Sequence, residues 1–127
     1  MRKLAFVISF LALASTTAWA GFRVTSVVSI DTVNRMASGS VGSARASADT
    51  VQYIGCNTYA WTDGTYAAEC RARTATGTSL GCITTSPNLV AVAGRINPMS
   101  WVNFRVDASG GCLMISINND SMYAPAR

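Results

Sequence analysis

Four cysteines, Cys56, Cys70, Cys82 and Cys112, constrain the fold of this chain more than any other feature. Structural zinc sites usually bring cysteines in pairs about two to four residues apart, whereas the spacings here are 14, 12 and 30 residues. A redox pair would show a C-x-x-C motif, which the sequence lacks. An even number of widely spaced cysteines in a small exported chain indicates a disulfide framework. We therefore predict two disulfides and no metal site.

The start of the chain has the three-part layout of a secretory signal peptide. Basic residues at 2–3 precede an apolar run over 4–14, and an A-x-A cleavage signal follows at 18–20. The apolar run is shorter than the roughly 20 residues that span a bilayer. The sequence predicts a signal peptide of bacterial type over 1–20 and a single domain over 21–127. The protein is then secreted, either periplasmic or extracellular.

The composition of the predicted domain argues against several classes of function. It contains eight arginines, six acidic residues, no lysine and no histidine, so its net charge is +2. Without histidine, neither a Ser-His-Asp nor a Cys-His catalytic arrangement can form. The arginines are spread from Arg23 to Arg127 instead of being clustered as in nucleic-acid binding. We expect no cofactor, no nucleic-acid partner and no stable membrane insertion after signal cleavage.

The stretch "CRARTATGTSLGC", residues 70–82, predicts a β-hairpin. A three-residue loop at 75–77 places Gly77 where such loops favour a left-handed residue. That register pairs Ala72 with Leu80 and the two cysteines with each other. One face then carries the cysteines and apolar residues, and the other carries arginines and small residues. Such alternation is typical of a half-buried hairpin.

The preceding stretch, "CNTYAWTDGTYAAEC", predicts a second hairpin with an Asp-Gly turn at 62–64. Its register places Cys56, Cys70 and Cys82 in a row across three strands. The outer two cysteines would then be about 9.6 Å apart, beyond the roughly 7 Å that a disulfide spans. Two pairings remain: Cys56–Cys70 with Cys82–Cys112, which we favour, or Cys70–Cys82 with Cys56–Cys112.

The rest of the chain predicts further strands and one short helix. β-Branched residues over 22–30 indicate a first strand, and alternating small and polar residues over 40–49 indicate a second. A helix is expected to begin with Ser86 as N-cap and Pro87 at its first position, and to stop at Asn97. Its apolar face carries Leu89, Val92, Ala93 and Ile96.

A last hairpin is predicted around the turn at 108–111. Three apolar pairs support its register: Val106 with Leu113, Phe104 with Ile115, and Val102 with Ile117. The expected fold is therefore mainly β (α+β), an antiparallel sheet or sandwich of about six strands with one short helix and two disulfides.

Three stretches, "GSARASADTVQYIGC", "CRARTATGTSLGC" and the closing "SMYAPAR", resemble a group of small exported bacterial proteins with four cysteines. The resemblance covers most of residues 38–127. It implies a shared fold and shared disulfides. It implies no activity and no site residue, because that group has no assigned function.

The face of the predicted three-stranded meander opposite the cysteines carries the candidate binding residues. We call it the aromatic face; it comprises Tyr53, Asn57, Tyr59, Trp61, Glu69, Arg71 and Arg73. Aromatic rings pack on the C–H surfaces of sugars, while charged groups orient hydroxyls. The predicted ligand-binding residues are Tyr59, Trp61, Arg71 and Arg73. The alternative is that the N-terminal strands or the helix cover this face and make it a second core.

We interpret the chain as an exported, non-catalytic binding or interaction domain that acts outside the cytoplasm through protein contacts or in a matrix or surface role. The sequence leaves the partner open between a protein and a glycan. The alternative is a carbohydrate-binding module that uses the aromatic face. A small hydrolase is the least favoured interpretation, although two carboxylates can hydrolyse glycosides. Aspartates such as Asp63 and Asp107 are expected in turns for structural reasons. The oligomeric state is left open.

Overall fold

A computed structural model describes residues 21–123 of the chain. The predicted signal peptide, 1–20, lies outside the described residues. The elements are β1 (Ser29–Asp31), β2 (Met36–Ser40), α1 (Val41–Arg45), β3 (Tyr53–Ala60), β4 (Tyr66–Arg73), β5 (Ser79–Thr84), α2 (Pro87–Ala93), β6 (Ser100–Val106), β7 (Cys112–Asn119) and a 3₁₀ turn (Ser121–Tyr123). The mainly β prediction is confirmed, with one strand and one α-helix more than expected.

The strands form two antiparallel sheets. One has the strand order β1-β2-β6-β7, and the other has the order β3-β4-β5. A single hydrophobic core takes residues from both sheets; Val102 and Phe104 on β6 and Cys70 and Ala72 on β4 are completely buried. Because side chains alternate along a strand, each sheet has an inner face toward the core and an outer face. The domain is a small sandwich.

The three-stranded sheet has the predicted registers. Cys56 lies opposite Cys70, which in turn lies opposite Cys82. Gly64 and Gly77 adopt φ angles of +87° and +95° in the two connecting loops. Glycine occupies this left-handed region without the steric cost of a Cβ. The turn signals in the sequence therefore fix both hairpins.

Disulfides join Cys56 to Cys70 and Cys82 to Cys112. The favoured pairing is confirmed, and the alternative pairing is wrong. The first bond connects two neighbouring strands of one sheet, and the second connects the two sheets to each other. Two disulfides in a domain of this size are consistent with an oxidising, extracellular environment.

The last hairpin departs from its predicted register beside the turn. Its two pairs farther from the turn are as predicted, but a β-bulge between Arg105 and Val106 sets Val106 opposite Cys112 instead of Leu113. Strict alternation would turn Cys112 and Leu113 to opposite faces, and Cys112 must face inward to reach Cys82. The bulge inserts the extra residue that this requires. The predicted core position of Leu113 is therefore wrong, and its side chain is 57% exposed.

The N-terminal half of the domain also differs from its prediction. β1 is shorter than the predicted strand over 22–30, although the Ser26 carbonyl still accepts a hydrogen bond from the Ser40 N–H (3.1 Å). The predicted strand over 40–49 is wrong, because α1 occupies its start. The Ser40 hydroxyl accepts a hydrogen bond from the Ser43 N–H, so Ser40 caps the helix. A serine followed by small residues suits a capped helical turn as well as a strand.

Helix α2 begins as predicted and ends earlier. Ser86 precedes Pro87 at the start of the helix, and the helix ends at Ala93 with Gly94 as its C-cap, short of Asn97. It packs against β3, β4 and β7 and so bridges the two sheets. The predicted apolar residues belong to the core: Leu89, Val92, Ala93 and Ile96. Within residues 21–123, no helix is both long and apolar enough to cross a membrane.

Candidate functional site

The aromatic face is the outer face of the three-stranded sheet, and it is open. Tyr53, Tyr59 and Trp61 are 45%, 39% and 54% exposed. Their outward direction follows from the register, because they alternate with the inward-facing Ile54 and Cys56 along the same strand. Residues 21–123 do not form a second core over this face.

A charged pair lies at the centre of the aromatic face. The Nη2 and Nε atoms of Arg71 are 2.6 and 2.7 Å from Oε1 of Glu69. The hydroxyl of Tyr59 donates to the other oxygen of Glu69 at 3.3 Å. The hydrogen bond and the charge of Glu69 raise the pKa of Arg71. One carboxylate thus holds two neighbouring side chains in place, which lowers the entropy that a ligand must remove on binding.

A shallow groove of about 300 Å³ runs beside this pair. Tyr53, Asn57, Glu69 and Arg71 provide its polar walls, and the backbone around Gly55 forms its floor. A Cβ added at Gly55 would meet no atom within 4 Å. The missing side chain therefore leaves free space directly opposite Arg71, where a ligand can approach the backbone.

The rings of Tyr59 and Trp61 form the other end of the aromatic face. Their centroids are 6.1 Å apart and their planes are inclined by 24°. Ile83 on β5 lies opposite Glu69 on the same face and is 57% exposed. Nearly parallel exposed rings next to fixed polar groups are a surface on which a ring-shaped polar ligand can pack.

The four predicted ligand-binding residues do not form one cluster. The ring of Tyr59 stacks on that of Trp61. Its hydroxyl and the Arg71 guanidinium both donate to the Glu69 carboxylate. Arg73, in contrast, lies opposite Tyr53 at the start of β3 but is not among the residues that line the groove. Its guanidinium lies over the turn, since a Cβ on Gly77 would be 3.6 Å from Nη2. Arg73 therefore lies outside the candidate site.

Several residues of the site lie outside the predicted set of ligand-binding residues. Tyr53, Asn57 and Glu69 belong to the predicted aromatic face, and the structure brings all three to the groove. Gly55 and Gly81 flank Arg71 on the two neighbouring strands. The sequence could have indicated these glycines, because alternation along the predicted strands directs both positions to the outer face.

Most of the carboxylates stabilise turns. The pKa values of four aspartates are lowered by hydrogen bonds from groups in their own turns, led by the Asn34 N–H for Asp31, the Thr65 hydroxyl for Asp63 and the Ser109 hydroxyl for Asp107. The fourth, Asp49, has a pKa of about 2 because the Gln52 and Val51 N–H groups donate to it. A general acid requires the opposite shift, toward neutral pH.

A larger cavity, of about 530 Å³, lies between the N-terminal segment and the loop after α1. Arg23, Ser43, Asp49 and Gln52 are among its lining residues. The carboxylate and the amide that line this cavity already have hydrogen-bond partners. The Asp49 carboxylate accepts from the Gln52 N–H, and the Gln52 Oε1 accepts from the Val28 N–H at 3.0 Å. These groups fasten the loop and leave few polar atoms to orient a ligand.

The sulfur atoms of Cys70, Cys82 and Cys112 lie within 4.8 Å of one another. All three belong to disulfides. A metal ligand is a thiolate, so this cluster in its oxidised form is a structural centre of the core.

Comparisons of the chain with protein-family models, with curated proteins and with solved structures give no match.

Proposed function

We propose that the chain is a non-catalytic binding domain that acts outside the cytoplasm and binds its ligand on the aromatic face. The observation that carries this proposal is the openness of Tyr53, Tyr59 and Trp61 around the fixed Glu69–Arg71 pair. Exposed aromatic side chains add little to folding stability, whereas a rigid aromatic and polar surface favours binding. The predicted signal peptide and the disulfides support a location in an oxidising compartment.

A carbohydrate is the ligand class that this face fits best. The groove is shallow and mixes rings with an amide, a carboxylate and a guanidinium, which are the groups that pack on sugar rings and bond their hydroxyls. Glu69 and Arg71 neutralise each other, so the groove favours a neutral polar ligand over a charged one. The lowered pKa values of the turn aspartates and the absence of histidine support binding without hydrolysis.

A protein partner is the second candidate. Tyrosine, tryptophan and arginine are the residues that most often dominate binding energy at protein interfaces. Ile83 adds an exposed aliphatic side chain to the same face. Polar Asn57 and Glu69 interrupt the apolar surface, which is why we place this candidate second.

The test is co-sedimentation of the oxidised protein with a panel of insoluble cell-wall and plant polysaccharides. We expect the wild type to bind at least one polymer and Trp61→Ala to lose most of that binding. Leu113→Ala is the matched control, because Leu113 is as exposed as Trp61 but lies on the other sheet. Retention of binding in Trp61→Ala, or equal loss in both variants, would contradict the assignment. Binding to no polymer leaves the protein partner.

A further inference from the structure

Strand β7 is the long open edge of the four-stranded sheet. It pairs with β6 on one side, and within residues 21–123 no backbone group of 113–118 bonds to any segment other than β6. In an antiparallel pair, every second residue of an edge strand directs its N–H and C=O away from its partner. β7 thus presents a row of donors and acceptors that another extended chain can satisfy together.

Two of the other edges are short or partly engaged. β1 has three residues, and the Ile83 N–H of β5 donates to the Gly110 carbonyl at 3.1 Å. The third, β3, is as long as β7 and also packs against a helix, so what distinguishes β7 is the groove beside it. Proteins also block edge strands with charges or proline. The eight residues of β7, "CLMISINN", include neither.

A groove of about 400 Å³ lies between β7 and the end of helix α2, with Val92 and Arg95 on the helix side. The Asn119 Nδ2 donates to the Arg95 carbonyl at 3.2 Å and joins the end of the strand to the segment that follows the helix. The lining residues are Val92, Arg95, Ile115, Ser116, Ile117 and Asn119. A strand laid against β7 would direct alternate side chains toward the aliphatic residues of the groove and the others toward solvent.

Arg95 is the one charged residue among the described residues that line the groove. The chain has no acidic residue between Glu69 and Asp107. The flanking carboxylates accept hydrogen bonds within their own turns, Asp107 from Gly111 and Asp120 from Met122. A second copy of β7 would bring no acidic side chain to Arg95, whereas an acidic peptide would.

We propose that β7 binds an extended acidic peptide of a partner protein as an additional strand of the sheet, with alternate apolar side chains of that peptide in the groove between β7 and α2. This surface belongs to the four-stranded sheet and is separate from the aromatic face.

The probe is an acetylated and amidated heptapeptide, Glu-Val-Thr-Val-Thr-Val-Glu, titrated into the full chain produced by export in oxidised form. We expect amide chemical shifts to change at 113–119 and around Arg95, and the outward amides of β7 to exchange more slowly with solvent. A matched peptide with proline in place of the central valine removes a donor and breaks the extended conformation. It should not bind.

Charge reversal checks the acidic preference. Arg95→Glu should weaken binding of the heptapeptide by about three- to tenfold, since a rim ion pair is replaced by repulsion. Arg23→Glu is the control, because this exposed arginine lies outside the groove.

Three outcomes would overturn the proposal. The first is absence of any shift at millimolar peptide, and the second is a set of shifts that maps to β1, β3 or the aromatic face. The third is sedimentation of the free chain as a dimer whose 113–119 amides are already protected, since the edge would then be occupied by a second copy. Equal affinity of Arg95→Glu and the wild type would overturn the preference for an acidic peptide.

Discussion

The outer face of each sheet carries one tryptophan, and the two differ in how far they are covered. Trp101, on the four-stranded sheet, is half-buried; its indole N–H donates to the Ser26 hydroxyl at 3.1 Å, and its ring centroid lies 6.2 Å from that of Tyr123. Trp61, on the three-stranded sheet, is 54% exposed. A tryptophan ring contributes a large apolar surface to a core when it is buried. The first ring contributes to the fold, and the second lies open to solvent.

The difference arises from where the chain ends are fastened. The Val24 N–H donates to the Met122 carbonyl at 2.9 Å, so the N-terminal segment and the 3₁₀ turn meet beside Trp101. No such segment within residues 21–123 crosses the aromatic face. Cover on one sheet and openness on the other therefore follow from long-range contacts of segments that precede β1 and follow β7.

The largest effect should come from the disulfides, and it should differ between the two regions. Replacing Cys82 and Cys112 by alanine should lower the free energy of unfolding by about 3–4 kcal/mol, because the bond closes a loop of 30 residues between the sheets. Replacing Cys56 and Cys70 should cost about 3 kcal/mol, because that loop has a sequence separation of only 14. Urea denaturation of the two double variants checks the order. Equal melting temperatures of the wild type with and without reductant would contradict both expectations.

The bulge beside the last turn can be tested with two neighbouring aliphatic residues. Ile115→Ala should cost about 2–4 kcal/mol, because its side chain is 94% buried. Leu113→Ala should change the free energy of unfolding by less than about 0.5 kcal/mol, as is usual for an exposed side chain. In the register predicted from the sequence, both side chains would face the core, and both substitutions would lower the free energy of unfolding by a similar amount. Similar losses from thermal denaturation of the two variants would restore that register.

The two tryptophans provide the next smaller effect. Trp101→Ala should lower the free energy of unfolding by about 2 kcal/mol, since a half-buried ring and one hydrogen bond are lost. Trp61→Ala should lower it by about 0.5 kcal/mol or less. Denaturant midpoints measured under identical conditions give the comparison. A reversed order would mean that the aromatic face is the covered one.

The smallest effect concerns acid. A carboxyl group whose pKa is lowered in the folded state adds stability above its unfolded pKa, and this stability disappears as the pH falls through the folded value. For Asp49 that window runs from about 4 down to about 2. Asp49→Asn should therefore flatten the fall of the melting temperature between these pH values. An unchanged slope in Asp49→Asn would contradict this expectation, because the hydrogen bonds to Asp49 would then add no stability. Asn34→Ala, which removes a hydrogen bond to the Asp31 carboxylate, gives the comparison at a second turn.

The two regions also differ in how far the sequence determines them. The registers of the three-stranded sheet were predictable, because Gly64 and Gly77 locate its turns and the cysteines confirm the pairing across strands. The four-stranded sheet joins distant segments, and its bulge depends on Cys112 having to meet Cys82 in space. α1 is not predictable from the sequence alone, because Ser40 and the small residues after it fit two local structures. Packing against the rest of the fold decides between them.

The candidate site was predictable as a set of outward residues and not as an open surface. Parity along β3 and β4 placed Tyr59, Trp61 and Arg71 together. Whether another segment covers them depends on long-range packing, which no local pattern encodes. The position of the Arg73 side chain beside the Gly77 turn likewise depends on its surroundings in the folded protein.

The most direct test of the aromatic face is the solvent accessibility of Trp61 with and without ligand. In Trp101→Phe, Trp61 is the only tryptophan of residues 21–127, so its emission and its quenching by acrylamide report on this face alone. We predict strong quenching in the free protein, and a blue shift with reduced quenching when soluble fragments of a bound polysaccharide are added. Weak quenching in the free protein, or quenching unchanged at saturating ligand, would contradict the account.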